Sequence, residues 1–148
     1  MPIRLVTEDR RRYLPLLLLA DEQESMVERY LHRGELYVME DPDPAAVCLV
    51  TDEGGVLEIK NLAVTPGRQR QGLGRAMVEF VAQRWAGRYR VLQVGTGDSP
   101  LTIPFYESCG FRYSHRIPDF FTKNYDHPIY EQGVLLTDMV YLRRSLEP

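Results

Sequence analysis

The chain has 148 residues, 44% of them hydrophobic, and a formal net charge of -3. Its length suits one domain, residues 1 to 148, with enough apolar material for a core. The acidic balance argues against general nucleic-acid binding, and the apolar run Leu14 to Ala20 is too short to span a bilayer.

Met1 to Arg12 is polar and no small-residue cleavage site follows it, so a cytoplasmic protein is expected. Cys48 and Cys109 lack metal-type spacing; reduced thiols and no metal are expected. Ile3 to Val6 reads as a first strand. Asp21 to Glu24 has the form of a capping box, with Asp21 as N-cap, opening a helix to about His32 that Gly34 stops. Glu35 to Glu40 alternates into a strand, Asp41 to Pro44 turns, and Ala45 to Val50 is the next strand. Asp52 to Gly55 is a hairpin turn. It makes the following apolar, β-branched strand, Val56 to Val64, an antiparallel neighbour of Ala45 to Val50.

The chain then changes period. Thr65 to Gln71 is a short polar loop with Pro66, Gly67, Arg68 and Arg70. From Gly72, apolar residues at 73, 76, 77, 80, 81 and 85 follow helical spacing, with Gly87 near the end. Strand, basic glycine loop and helix together form an anion-binding device: the first helix amides lack intrahelical acceptors, and the positive end of the dipole lies behind them. Gly72 and Gly74 would allow close approach of a diphosphate, with Arg68, Arg70 and Arg75 around it. Residues 60 to 90 carry seven basic side chains against Glu79, a charge of +6, so the remainder carries -9. Leu73 and Gly74 stand where a nucleotide-triphosphate loop needs Lys and Ser or Thr, and Met77 breaks the dinucleotide fingerprint.

Val91 to Gly95 is a further strand, parallel to Val56 to Val64 across the helical crossover. Ser99 and Pro100 suit the start of a helix to Cys109, with Gly110 after it. Pro104 inside that stretch predicts a kink or a late start. Phe111 to His115 reads as a strand, Pro118 to Gly133 as a long loop dense in aromatics and acids, and Thr137 to Arg143 as a closing strand.

The Gln69-Arg70-Gln71-Gly72-Leu73-Gly74 segment resembles the Arg/Gln-x-x-Gly-x-Gly/Ala signature of the GNAT superfamily of N-acetyltransferases. The EIKNLAV strand before it, the amphipathic helix after it and the Phe105-Tyr106-x-x-x-Gly110-Phe111 segment match the family in order, and the resemblance covers about Leu36 to Leu142. It implies an α/β fold with a mixed, mostly antiparallel sheet of six or seven strands. Helices would cover both faces, and the signature strand would splay from the next. It implies acetyl-coenzyme A as cosubstrate, its pyrophosphate on Gln69, Arg70, Gln71, Gly72, Leu73, Gly74 and Arg75. The pantetheine arm would lie along Leu62, Ala63 and Val64, with Val64 contacting the carbonyl. Glu58 stands where many members carry a base, and a carboxylate facing an apolar cleft should have a raised pKa. Asp98, Glu107, Asp119, His115 and His127 are rivals for that role. Tyr106 aligns with a tyrosine near the thioester sulfur and is expected to act as general acid to the departing thiolate, and Asn61 is suited to bind acceptor. The acceptor is expected to be an amine of a small molecule or peptide, the aromatics and acids of the Asp119 to Tyr130 loop would suit a cation, and the protein is expected to be a monomer or homodimer. The alternative is a module that holds coenzyme A without turnover.

Overall fold

A computed structural model describes residues 1–147. In chain order the elements are β1 (Ile3–Leu5), a 3-10 turn (Arg10–Tyr13), α1 (Leu14–Ala20), α2 (Glu24–Glu28), β2 (Glu35–Glu40), β3 (Pro44–Glu53) and β4 (Val56–Val64). A second 3-10 turn (Pro66–Arg68) leads to α3 (Leu73–Trp85), β5 (Val91–Gly97), α4 (Thr102–Ser108), β6 (Arg112–Ile117), α5 (Phe120–Asn124), β7 (Tyr130–Glu131), β8 (Val134–Leu135) and β9 (Met139–Ser145). Seven strands form one sheet in the order β1-β2-β3-β4-β5-β9-β6, and β7 with β8 forms a separate hairpin. The β4–β5 pair is parallel and the others are antiparallel. This is the mixed, mostly antiparallel α/β architecture expected.

Helices cover both faces, so the central strands are apolar on both sides. In β2, Leu36 and Val38 join the cluster made with α1 and α2, while Tyr37 and Met39 join the larger cluster made with α3 and α4. β4 obeys the same alternation with one interruption. Leu49 pairs with Asn61 and Val50 with Ile59, so Lys60 is an extra residue, a bulge. The bulge shifts the side-chain parity. Leu57 and Ile59 pack towards α3, as do Leu62 and Val64, while Ala63 packs towards α1. Glu58 and Asn61, three apart, therefore share the α1–α2 face.

The expected splay is present. β4 pairs with β5 only over Leu57–Ile59 and Leu92–Val94. Beyond that, β4 continues along β3 to Val64, and β5 continues along β9 to Gly97.

Several local expectations need correction. Leu14 to Ala20 is a helix, α1, which its apolar character alone did not reveal. Asp21 caps the C-terminal end of that helix instead of opening the next; α2 starts at Glu24, with Gln23 as N-cap, and ends at Glu28, short of His32. The Pro118 to Gly133 loop contains α5 and half of the β7–β8 hairpin. The late start before Pro104 is seen: α4 begins at Thr102, which leaves Pro104 in the first turn, where no intrahelical N–H bond is lost. Among the described residues no helix is long and apolar enough to cross a membrane, and no group of three His, Cys, Asp or Glu side chains could hold a metal ion.

Candidate active site

The segment between β4 and α3 is built as a set of free amides. Arg70 and Gly72 both have positive φ, 65° and 78°. Gly72 is the N-cap of α3, and no side chain caps the helix. Its carbonyl accepts the Ala76 amide, so the amides of Leu73, Gly74 and Arg75 are the ones left without an intrahelical acceptor. A Cβ on Gly72 would meet nothing within 4 Å. Gly74 has a different reason to be glycine: its Cβ would come within 3.2 Å of the Phe105 ring, so it sets the packing of α3 against α4. Of the nearby arginines, Arg75 is held in place by neutral groups. It donates to the Ser108 carbonyl at 3.0 Å and to the Ser108 hydroxyl at 2.8 Å. Arg68 donates from Nε to Gln71 Oε1 at 3.3 Å.

The β4 edge exposed by the splay leads to this loop. The Thr65 amide donates to Ala45 in β3. Backbone groups alternate along a strand, so Ala63 also turns its backbone to β3, while Leu62 and Val64 turn theirs to the splay. In keeping with this, the Val64 carbonyl accepts Gln69 Nε2 at 3.2 Å.

Glu58 lies on the other side of the same strand, 5% exposed. It borders a cleft of about 250 Å³ lined also by residues of α2, α5, β5 and β9. Its partners are fixed: Gln93 Nε2 donates to one carboxylate oxygen at 2.6 Å, and Lys60 Nζ is 2.9 Å from the other. Gln93 in turn accepts Arg143 Nε at 2.8 Å. Lys60, two residues on, shares the Glu58 face by ordinary strand alternation, and the bulge adds Asn61 to that face. The cleft is thus less apolar than expected around this carboxylate.

None of the rival acid–base groups borders that cleft. Asp98, Glu107, Asp119, His115 and His127 are exposed. Asp98 lies 3.8 Å from Arg116, and His127 contacts Asp126 and Glu22. His115 stacks on Tyr141, ring centroids 4.7 Å apart, and Tyr141 does line the cleft. Burial, followed by the charges of Glu58 and Glu53, pushes the Tyr141 phenol up to about 12.

Tyr106 is in α4, packed edge-on between Phe105 and Phe111 at 5.0 and 5.5 Å. It belongs to the α3–α4 cluster, with Cys48 and Cys109, on the opposite face of the sheet from Glu58. Burial raises the Tyr106 pKa, with Cys48, Cys109 and Glu131 adding to the shift. Cys109 is buried, and burial raises its thiol pKa too, as a packing residue would show.

Asn61 is buried. Its Nδ2 donates to the Leu17 carbonyl at 2.9 Å and to the Tyr30 hydroxyl at 3.0 Å, while Oδ1 has no partner among the described residues. The chain of contacts continues. Tyr30 donates to Asp21 at 2.9 Å, and Tyr125 donates to the other Asp21 oxygen at 2.6 Å. Asp21, Tyr30 and Tyr125 all line the cleft; sequence reasoning reached Tyr125 through its loop but assigned neither Asp21 nor Tyr30 to it. Gln93 was also missed, although a polar side chain in the apolar run Val91 to Val94 is a readable signal. A second hollow, of about 340 Å³ between α1 and the Thr65–Pro66 turn, has no carboxylate or histidine in its lining.

A family model described as an acetyltransferase (GNAT) domain matches residues 32–113. The chain is 34% identical over 148 residues to the uncharacterized N-acetyltransferase YvbK of Bacillus subtilis (strain 168), covering 97% of this chain and 96% of that one. Among solved structures it is similar to a GNAT family acetyltransferase of Elizabethkingia anophelis with acetyl-CoA bound. The TM-score is 0.90, the identity 32%, and 97% of each chain is covered. It is also similar to a Bacillus subtilis acetyltransferase in complex with CoA, at a TM-score of 0.86 and 33% identity over 97% of each chain.

Proposed function

The chain belongs to the GNAT family of acetyltransferases, and from that premise we propose that it transfers the acetyl group of acetyl-coenzyme A to a primary amine by direct attack in a ternary complex. One observation carries the reading. A single strand, β4, holds Glu58 over a cleft on one side and turns the Leu62 backbone and the Val64 amide to the edge that runs to the α3 amides. A cofactor anchored by its diphosphate at Gln69 to Gly74 can lay its arm along that edge and bring its acyl end to the splay, where the cleft meets it.

In this reading the orphan amides of α3 bind the diphosphate, helped by Arg68 and Arg70, while Arg75 contributes its backbone and braces α4. The Val64 amide stabilises the negative charge that develops on the thioester oxygen. Glu58, held by Gln93 and Lys60, takes the proton from the attacking amine, directly or through water. The new C–N bond forms as the C–S bond breaks, and the thiolate leaves. Tyr106 keeps its proton, because burial has raised its pKa, and serves as a hydrogen-bond donor that holds the departing sulfur.

The test is thiol release from acetyl-coenzyme A across an amine panel, with Glu58→Gln as the comparison. We expect the variant to keep its cofactor affinity and to lose turnover by roughly 10²–10⁴. Full activity at every pH would move the base elsewhere. Cofactor binding without thiol release by the wild type would establish the alternative, a non-catalytic coenzyme A module.

A further inference from the structure

The charges that line the cleft do not cancel. Three cations, Arg29, Arg33 and Lys60, stand against two acids, Asp21 and Glu58. Lys60 is 2.9 Å from Glu58 and 3.9 Å from Glu53. Arg33 is 2.5 Å from the same Glu53, which is outside the lining. Asp21 is occupied by the two tyrosine hydroxyls described above. Arg29 alone is left with a neutral partner, Asn124 Oδ1 at 3.2 Å. Among the described residues it takes part in no ion pair.

A guanidinium carries five N–H donors in a planar fork that matches a carboxylate or a phosphate. One hydrogen bond to an amide leaves most of that fork unused. The acids that the loop was expected to bring to the wall are elsewhere: Asp119 and Asp126 are exposed outside the cleft, and only Phe120 and Tyr125 of that loop reach it. A second positive charge on the acceptor would face Arg29 and Arg33 with no free carboxylate, and like charges brought together are an element of rejection.

We propose that the acceptor is a small primary amine that also bears an anionic group, and that Arg29 selects it by pairing with that group while the amine reaches Glu58. This rests on the acetyl-transfer reading above.

Matched pairs of acceptors test it: 4-aminobutyrate against its amide, O-phosphoethanolamine against ethanolamine, and putrescine as the dication. The first two pairs separate a carboxylate from a phosphate as the anion. In at least one pair, the anionic member should be the better substrate in kcat/KM. Arg29→Gln should raise its KM roughly ten- to a hundredfold, the worth of a charged hydrogen bond, and leave the neutral member within about twofold. Arg29→Lys should recover part of the preference. Asn124→Ala removes the guanidinium's neutral partner but not the charge, and should keep the preference. Equal or better use of the neutral or dicationic amines overturns the proposal and leaves acetyl transfer standing. So does an Arg29→Gln loss that is the same for both members of a pair. If acetyl-coenzyme A binds but no amine releases thiol, the underlying reading fails and this proposal with it.

Discussion

At the scale of single residues, the two groups proposed for catalysis have opposite surroundings. Glu58 is solvated by protein: an amide on one oxygen, an ammonium on the other. Tyr106 is enclosed by aromatic rings and thiols, which raises its pKa and makes it the weaker proton source. Tyr106→Phe should therefore lower kcat by about tenfold, the worth of one hydrogen bond, and leave the cofactor dissociation constant nearly unchanged. Steady-state kinetics beside a binding titration would check this. Wild-type kcat in the variant would reduce Tyr106 to packing. Both residues were singled out in the sequence because the expectations for them attach to local motifs, EIKNLAV and the Phe105 to Phe111 segment. Arg29 was not, because its interest comes only from lacking a carboxylate in the folded chain. Gly74 was legible as glycine, but its contact with the Phe105 ring belongs to the packing of α3 on α4 and leaves no mark in the loop's sequence.

At the scale of elements, α5 is docked on the α1–α2 connector by long-range polar contacts. Tyr125 donates to Asp21, the Asp126 amide to Gln23, Arg29 to Asn124, and His127 lies 3.0 Å from Glu22. Two of these groups titrate. Burial raises the Asp21 pKa above its unfolded value, against the two tyrosine hydroxyls that lower it. Hydrogen bonds to Asp126 and Glu22 raise that of His127. For a raised group, the stability is complete below the unfolded pKa and is lost as pH rises through the folded one. Docking should therefore weaken on the alkaline side, first as Asp21 ionises above the ordinary carboxylate range and then as His127 deprotonates above the ordinary imidazole value. Amide-exchange protection of residues 120–127, corrected for intrinsic rates, should fall as pH rises from 5 to 8, and His127→Gln should flatten the upper part of the fall. A pH-independent protection would show that the apolar contacts of Phe121 and Tyr125 hold α5 alone. The Asp21-x-x-Glu24 pattern was misread because it satisfies a local rule; a tyrosine 104 residues away takes up Asp21 in the fold. The late start of α4 was read correctly because its cause, a proline, acts within one turn.

At the scale of the molecule, a ligand that bridges β4 and α3 should stabilise the whole sheet. Acetyl-coenzyme A at a hundred times its dissociation constant should add about 2.7 kcal/mol, or roughly 5–11 °C in Tm for a domain of this size. Gly72→Asp should abolish the shift, since the position requires a φ of 78° and a carboxylate there would repel the diphosphate. A shift of unchanged size would place the cofactor elsewhere. The layered architecture was legible from periodicity and from the strand–loop–helix order. The strand order was not, since nothing in the pattern of Thr137 to Arg143 says between which neighbours it lies. That order has its own consequence. β9, the last strand in sequence, lies between β5 and β6. While the chain is being synthesised, β5 and β6 emerge first and must wait side by side with unsatisfied edges for Ser145 to leave the ribosome. For that interval the nascent protein carries a strand-shaped gap in its sheet. Any extended segment near by, including one from a neighbouring nascent copy, is a competitor for it.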